Sequence, residues 1–198
     1  METRFNTVKE IYDRFEEASA PYRDTAACEK GCAFCCTDAG SIDITTLEGV
    51  RIRNRIAQLP RPQRSALKKA LAKDARQREK GRKAPCPFLL KSRACSIYDI
   101  RPFACRRIYS LKRCGDGQSP VIHRQVMEMA EEVIHRLQKL DDSGYSGHIS
   151  YILHMLDTPA FLNVYLSGGF QPEAIMAYGK THKIVINRMM TKQGATIS

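Results

Sequence analysis

The sequence predicts a mainly α fold, in which an irregular cysteine-rich core with short strands packs against a helical bundle. Three observations predict it. Apolar residues recur at three- and four-residue spacing along much of the chain, the period of a helix with one buried face. Eight cysteines among 198 residues all fall between Cys28 and Cys114. Prolines and glycines sit mostly where turns are expected, with no low-complexity tract, and 43% hydrophobic residues suffice for a core.

In chain order, Phe5, Val8, Ile11, Tyr12 and Phe15 give an amino-terminal helix one apolar face, and the helix ends before Pro21. Residues 21–41 read as a loop with tight turns, to which Gly31 and Gly40 lend backbone freedom. Thr45 and Glu48 form a capping box that starts a helix over 46–58, stopped by Pro60. A second helix runs from Arg61-Pro62 to Gly81. Its apolar side is weak (Leu67, Ala70, Leu71), and Lys69, Lys73, Arg76, Lys80 and Lys83 line up as a basic stripe.

Residues 86–90 and 95–98 read as extended pieces of a small hairpin around residues 91–93, and Asp99 is expected to cap a helical turn containing Cys105. Residues 114–118 form the clearest linker. Ser119-Pro120 then opens a helix with Ile122, Val126, Met129, Val133, Leu137 and Leu140 along one stripe. Ile149, Ile152, Leu153 and Leu156 form a second stripe. Thr158-Pro159 opens a third helix closed by Gly168-Gly169, and Pro172 opens a fourth with Ile175, Tyr178, His182, Val185 and Met189 on one face. Residues 1–114 are thus read as the cysteine-cluster region with a basic helical insertion at 51–83. Residues 115–198 are read as a helical region packed on it as one compact unit.

The net charge of +11 is uneven: residues 1–50 carry −5, 51–83 carry +11, 84–113 carry +6 and 114–198 carry −1. The basic middle flanks the cysteines. It is either a solvated helix face or a surface for an acidic protein or a nucleic acid, although residues 51–83 contain no aromatic side chain for base stacking. The amino terminus lacks the apolar stretch of a secretory signal, and the most apolar region, 149–170, is interrupted by His154, Asp157, Pro159 and Asn163. A cytoplasmic protein without a membrane segment is therefore expected.

In a reducing compartment, thiols at this density point to metal ligation more than to disulfides. Thiolates are soft donors that select zinc, cuprous copper or iron–sulfur clusters, and Cys32-x-x-Cys35 is a spacing at which one turn directs two sulfurs at one ion. Neighbouring Cys35 and Cys36 diverge in extended backbone. Either the chain curls there or the two sulfurs serve different roles, one in the main centre and one in a second site or as a reactive thiol. Eight cysteines suffice for two four-thiolate zinc sites or for one four-iron cluster with four thiols to spare. Lys30, Arg93, Arg101, Arg106 and Arg107 lie where cations would stabilise the anionic centre.

The pattern Cys28-x3-Cys32-x2-Cys35-Cys36, then Cys86-Pro87-Phe88-Leu89, then Cys95-x-Ile97-Tyr98-x2-Arg101-Pro102-x2-Cys105-Arg106, resembles the YkgJ-type cysteine-cluster family, described as zinc- or iron-chelating. The resemblance spans about residues 28–106. It implies that Cys28, Cys32, Cys35, Cys36, Cys86, Cys95 and Cys105 form the metal-binding set, supported by Tyr98, Arg101, Pro102 and Arg106. Cys114 lies outside the pattern.

The reading is a metal-binding protein with a cysteine-ligated zinc or iron centre, an iron–sulfur cluster included, in a structural or redox role. The alternatives are a protein-modifying enzyme built on that centre, since a related cluster occurs in flagellin lysine methylases, and a basic nucleic-acid adaptor. No nucleotide-binding glycine loop, serine elbow or paired-histidine motif is present, and no catalytic residue is assigned. His123, His135, His148, His154 and His182 read as ordinary surface or core residues, with His182 on the apolar stripe of its helix.

Overall fold

The computed structural model describes residues 1–29, 31–38, 41–115, 118–169 and 171–182, and the backbone of residues 188–189. Helix α1 (Glu2–Ala18) buries Val8, Tyr12 and Phe15, the face its spacing predicts. Pro21 does not open the loop but sits in the first turn of α2 (Ala20–Arg23), where a missing N–H costs nothing. A further turn, α3 (Phe34–Thr37), and a strand, β1 (Asp43–Thr45), complete the passage to α4 (Thr46–Ala57).

The capping box forms as predicted. Glu48 N–H donates to Thr45 Oγ1 at 3.2 Å, and Thr45 N–H donates to Glu48 Oε2 at 2.8 Å. Helix α5 (Arg61–Glu79) buries only Leu67 and Asp74, and the whole predicted basic stripe is exposed. The hairpin is present as an antiparallel bridge between Leu89 and Cys95, with Arg93 left-handed at φ 63° in its turn. Asp99 does not cap the helical turn that holds Cys105. It lies within a 3-10 turn (Tyr98–Ile100), while Pro102, with extended backbone, precedes α6 (Phe103–Arg106).

The next helix, α7 (Arg124–Leu140), starts four residues beyond the predicted Ser119-Pro120. Residues 119–122 stay outside the helix, held against the cysteine region: Leu111 N–H donates to the Val121 carbonyl at 2.8 Å, and Val121 N–H to Ser110 Oγ at 3.0 Å. His123 then caps the helix through Nδ1, which accepts from Gln125 N–H at 3.3 Å. A strand that the sequence reading missed, β2 (Tyr145–His148), leads into α8 (Ile149–Leu156), followed by α9 (Pro159–Leu166) and α10 (Pro172–Thr181). Gly168, at φ 74°, closes α9 as predicted. Helix α10 ends before the predicted stripe does: Val185 lies outside the described residues, and the backbone of Met189 belongs to β3 (Arg188–Met189).

The three strands form an antiparallel sheet in the order β1-β2-β3, with Ile44 opposite Gly147 and Tyr145 opposite Met189. Helix α1 packs on α7, and α8 packs on α4, α5 and α9. One core cluster joins α4, α8, α9 and α10 with Phe88 and Ile97; the other joins α1 and α7 with Leu47, Phe103 and Tyr109. The cysteine-bearing stretch 86–110 is thereby pinned into both clusters by four aromatic or aliphatic side chains. Among the described residues no helix is long and apolar enough to cross a membrane.

Candidate metal centre

All eight cysteines are free thiols. Their positions follow from the packing around them. Phe88 and Ile97 are buried at 1% and 2% exposure and hold the two sides of the hairpin, so Cys86 and Cys95, two residues away from each, are carried to the edge of the first core. Phe103, at the start of α6, is buried in the second core two residues before Cys105. Cys35 and Cys36 ride on α3, where Cys36 N–H donates to the Ala33 carbonyl at 2.9 Å. Cys28 and Cys32 are exposed on the loop before it.

The two cysteine groups meet through the backbone. Cys86 N–H donates to the Cys36 carbonyl at 2.6 Å, and Arg93 Nε in the hairpin turn donates to the Gly31 carbonyl at 3.1 Å. A second junction lies on the other side of the loop. Ala27 N–H donates to the Ser110 carbonyl at 2.7 Å, Ser110 N–H donates to Cys28 Sγ at 3.2 Å, and Arg113 pairs with Glu29 at 2.9 Å.

Burial is the main influence on the thiols, because it penalises the charged form. It pushes Cys35 up to about 12, with Cys28, Cys114, Cys36 and Cys32 adding to the effect in that order. It also raises Cys36, whose thiol neighbours are Cys95 and Cys32. Cys86 is pushed up to about 12 by burial, is eased by a Phe88 backbone hydrogen bond, and feels Cys36, Cys95 and Asp74. Cys95 and Cys105 are raised by burial too, and the Arg101 guanidinium pulls both back. All of these shifts favour protonated thiols, so a metal ion must displace protons as it binds.

Of the five cations expected around the centre, Arg101 acts on two of these thiols. Its Nε is buried without a hydrogen-bond partner among the described residues, and its guanidinium lies 4.2 Å over the exposed Tyr98 ring. Lys30 lies outside the described residues. Arg106 turns away, pairing with Glu16 and donating to the carbonyls of Arg101 and Asp99 at 2.9 Å each. Pro102 acts by starting α6.

The donor set fits a soft metal ion: unbridged thiols from three segments and a half-buried cation beside them with an orphaned guanidinium N–H. Among the described residues, no three His, Cys, Asp or Glu side chains are already gathered as an ion would hold them. The histidines serve elsewhere. His123 and His148 cap helices, and His182 ends α10 stacked on Tyr178 with ring centroids 3.9 Å apart.

Residues 27–131 match a family described as "CxxCxxCC: Putative zinc- or iron-chelating domain". The chain belongs to the CxxCxxCC family. The match covers more than half of the sequence and runs past the 28–106 resemblance, so that the CxxCxxCC segment takes in Cys114 and the amino-terminal turns of α7. Family membership supports zinc or iron binding. No match emerged among curated proteins or among solved structures.

Two side chains outside the expected set of this CxxCxxCC protein lie close to it. Cys114 is an electrostatic neighbour of Cys35, and the even count of eight was the hint that pointed to it. Glu48, legible as half of a capping box, also accepts the Phe103 N–H at 2.8 Å, a contact without any local sequence signature.

Proposed function

We propose that this protein chelates zinc or iron through Cys28, Cys32, Cys35, Cys36, Cys86, Cys95 and Cys105, and that the centre fastens the amino-terminal loop to the hairpin and to α6. The observation that carries this reading is the 2.6 Å backbone bond from Cys86 to Cys36, which brings the second cysteine group onto the first. Bound thiolates supply a soft, electron-rich ligand field that holds zinc structurally or gives iron a redox couple. The chain's own residues orient the thiols through the Phe88, Ile97 and Phe103 anchors, and offset the negative charge through Arg101. The reducing cytoplasm suits eight free thiols.

The test is anaerobic purification followed by elemental analysis and an ultraviolet–visible spectrum. Zinc or iron should co-purify, and Cys86→Ser should lower its content and the thermal stability. A colourless metal-bound protein selects zinc, and a brown one with broad absorption selects an iron–sulfur centre. A metal-free, fully folded protein overturns the reading.

A second reading rests on the exposed α5 stripe of Lys69, Lys73, Arg76 and Lys80, which suits a polyanionic partner, an acidic protein or a nucleic acid. Such binding should weaken as salt rises, in proportion to the number of charges neutralised. Salt-independent binding, or none, sets it aside.

A further inference from the structure

We infer that the eight cysteines divide into two separate four-thiolate metal centres: an inner one of Cys36, Cys86, Cys95 and Cys105, and an outer one of Cys28, Cys32, Cys35 and Cys114. The inference rests on the metal-binding reading above and adds to it the count of centres and the role of Cys114.

The fork is α3. Neighbouring residues on a helix project about 100° apart and do not face each other, so α3 aims Cys35 and Cys36 in different directions. Cys36 has its own backbone junction, and the Cys28 end of the loop has another. On the Cys36 side, Cys86 is bonded directly to the Cys36 carbonyl, the Leu89–Cys95 bridge returns Cys95 beside Cys86, and α6 brings Cys105.

On the Cys28 side, the partner segment is residues 110–114. Ser110 clasps Ala27 and Cys28 through its backbone, and Arg113 clasps Glu29. The Ser110 hydroxyl donates to the Lys112 carbonyl at 2.6 Å and accepts the N–H groups of Lys112 at 3.3 Å and Val121 at 3.0 Å. This turn holds the chain against the loop just before Cys114, while the Gly115–Gln118 bridge closes the far side.

The strongest electrostatic neighbours follow the same line, with Cys36 and Cys32 felt across it. Cys35 feels Cys28 first, then Cys114, its chain neighbour Cys36 and Cys32, whereas Cys105 feels Cys86, Cys95 and Cys36. Cys32 is felt from both Cys35 and Cys36. Its exposure, and its bond from N–H to the Glu29 carbonyl at 2.9 Å, assign it to the outer loop.

Each centre forms as four thiols give their protons to solvent and one divalent ion takes four sulfur ligands, without any change of oxidation state. Cys28 and Cys32 are exposed, and the inner thiols are partly to largely buried, so the outer ion should exchange first.

The experiment loads the reduced full-length chain with zinc and counts bound ions by native mass spectrometry. A chromogenic chelator follows their release. Wild type should hold two zinc ions and lose them in two phases, and Cys114→Ser should hold one and lose the fast phase. One ion in both proteins, or two in both, overturns the inference and leaves the metal-binding reading intact; no zinc in wild type overturns both. Because Cys114→Ser could perturb folding, iodoacetamide labelling of wild type provides a second measurement. Zinc should slow alkylation of Cys114 at least tenfold, and an unchanged rate removes Cys114 from the outer centre.

Discussion

Glu48 Oε1 accepts the backbone N–H of Phe103 at 2.8 Å, joining the first turn of α4 to the first turn of α6, two residues before Cys105. The same carboxylate accepts the Tyr12 hydroxyl of α1, the Thr45 N–H at 2.8 Å and the Thr45 hydroxyl at 3.1 Å. One buried side chain, 4% exposed, thus ties three helices and a strand end to the cysteine region.

Glu48→Gln should therefore destabilise the protein well beyond the loss of a cap. Glutamine keeps one acceptor oxygen but turns an NH2 toward donors, which leaves buried N–H and O–H groups unpaired at about 1–3 kcal/mol each. A loss of about 2–4 kcal/mol is expected in urea unfolding. A loss below 1 kcal/mol would mean that the network contributes little.

Removing the metal should loosen a defined part of the chain. Phe88 and Ile97 still anchor the hairpin, whereas the loop before α3 buries little apolar surface beyond Ala33. Hydrogen exchange after treatment with a chelator should accelerate at Cys32, Cys36 and Cys86 while the α1–α7 pair stays protected. Uniform acceleration would instead mean global unfolding.

Gly49 sits where α4 meets α8. A Cβ there would lie 2.6 Å from Ile152 Cγ2 and 2.8 Å from Leu156 Cδ1. Helix propensity favours alanine by about 1 kcal/mol, but overpacking a tight core costs about 1–3 kcal/mol, and the clash should win. Gly49→Ala should lower the midpoint of unfolding. In the Gly49→Ala/Ile152→Ala pair the combined loss should fall short of the two single losses added together, because the clashing methyl is gone. Additive losses would place the effect elsewhere.

The elements legible in the sequence were those whose determinants lie close together along the chain. The capping box at Thr45 and Glu48, the stripe of α1 and the Pro159 and Pro172 helix starts each need only a few neighbouring residues. Strands β1 and β2 are three and four residues long and pair across a hundred positions, so no period could mark them. The late start of α7 has the same origin, since Val121 is bonded to Ser110 and Leu111. At the candidate site, cysteine spacing marked seven thiols. The fork at Cys35 and Cys36 and the approach of Cys114 depend on α3 and on the 27–29 junction with 110–113, which spacing does not encode.

His148 gives the fold a specific acid sensitivity. It is buried at the start of α8, where Nδ1 accepts the Ser150 N–H at 3.3 Å and therefore must stay unprotonated. Burial, with Arg78 nearby, lowers it from 6.5 to about 4, against the opposing pull of Asp74 and Asp43. Below pH 6.5 the unfolded chain takes up a proton that the folded chain refuses until about pH 4, so this contribution is lost as pH falls through that window. It amounts to up to about 3 kcal/mol. Asp141, pushed up to about 6 by burial, acts in the opposite sense: the folded state holds its proton more tightly, and its contribution falls as pH rises through about 6. The informative measurement is therefore the difference between wild type and His148→Asn, which keeps a capping acceptor but does not titrate. Across pH 6.5 to 4 wild type should lose stability relative to the variant, and a constant difference would show that His148 is not the titrating group.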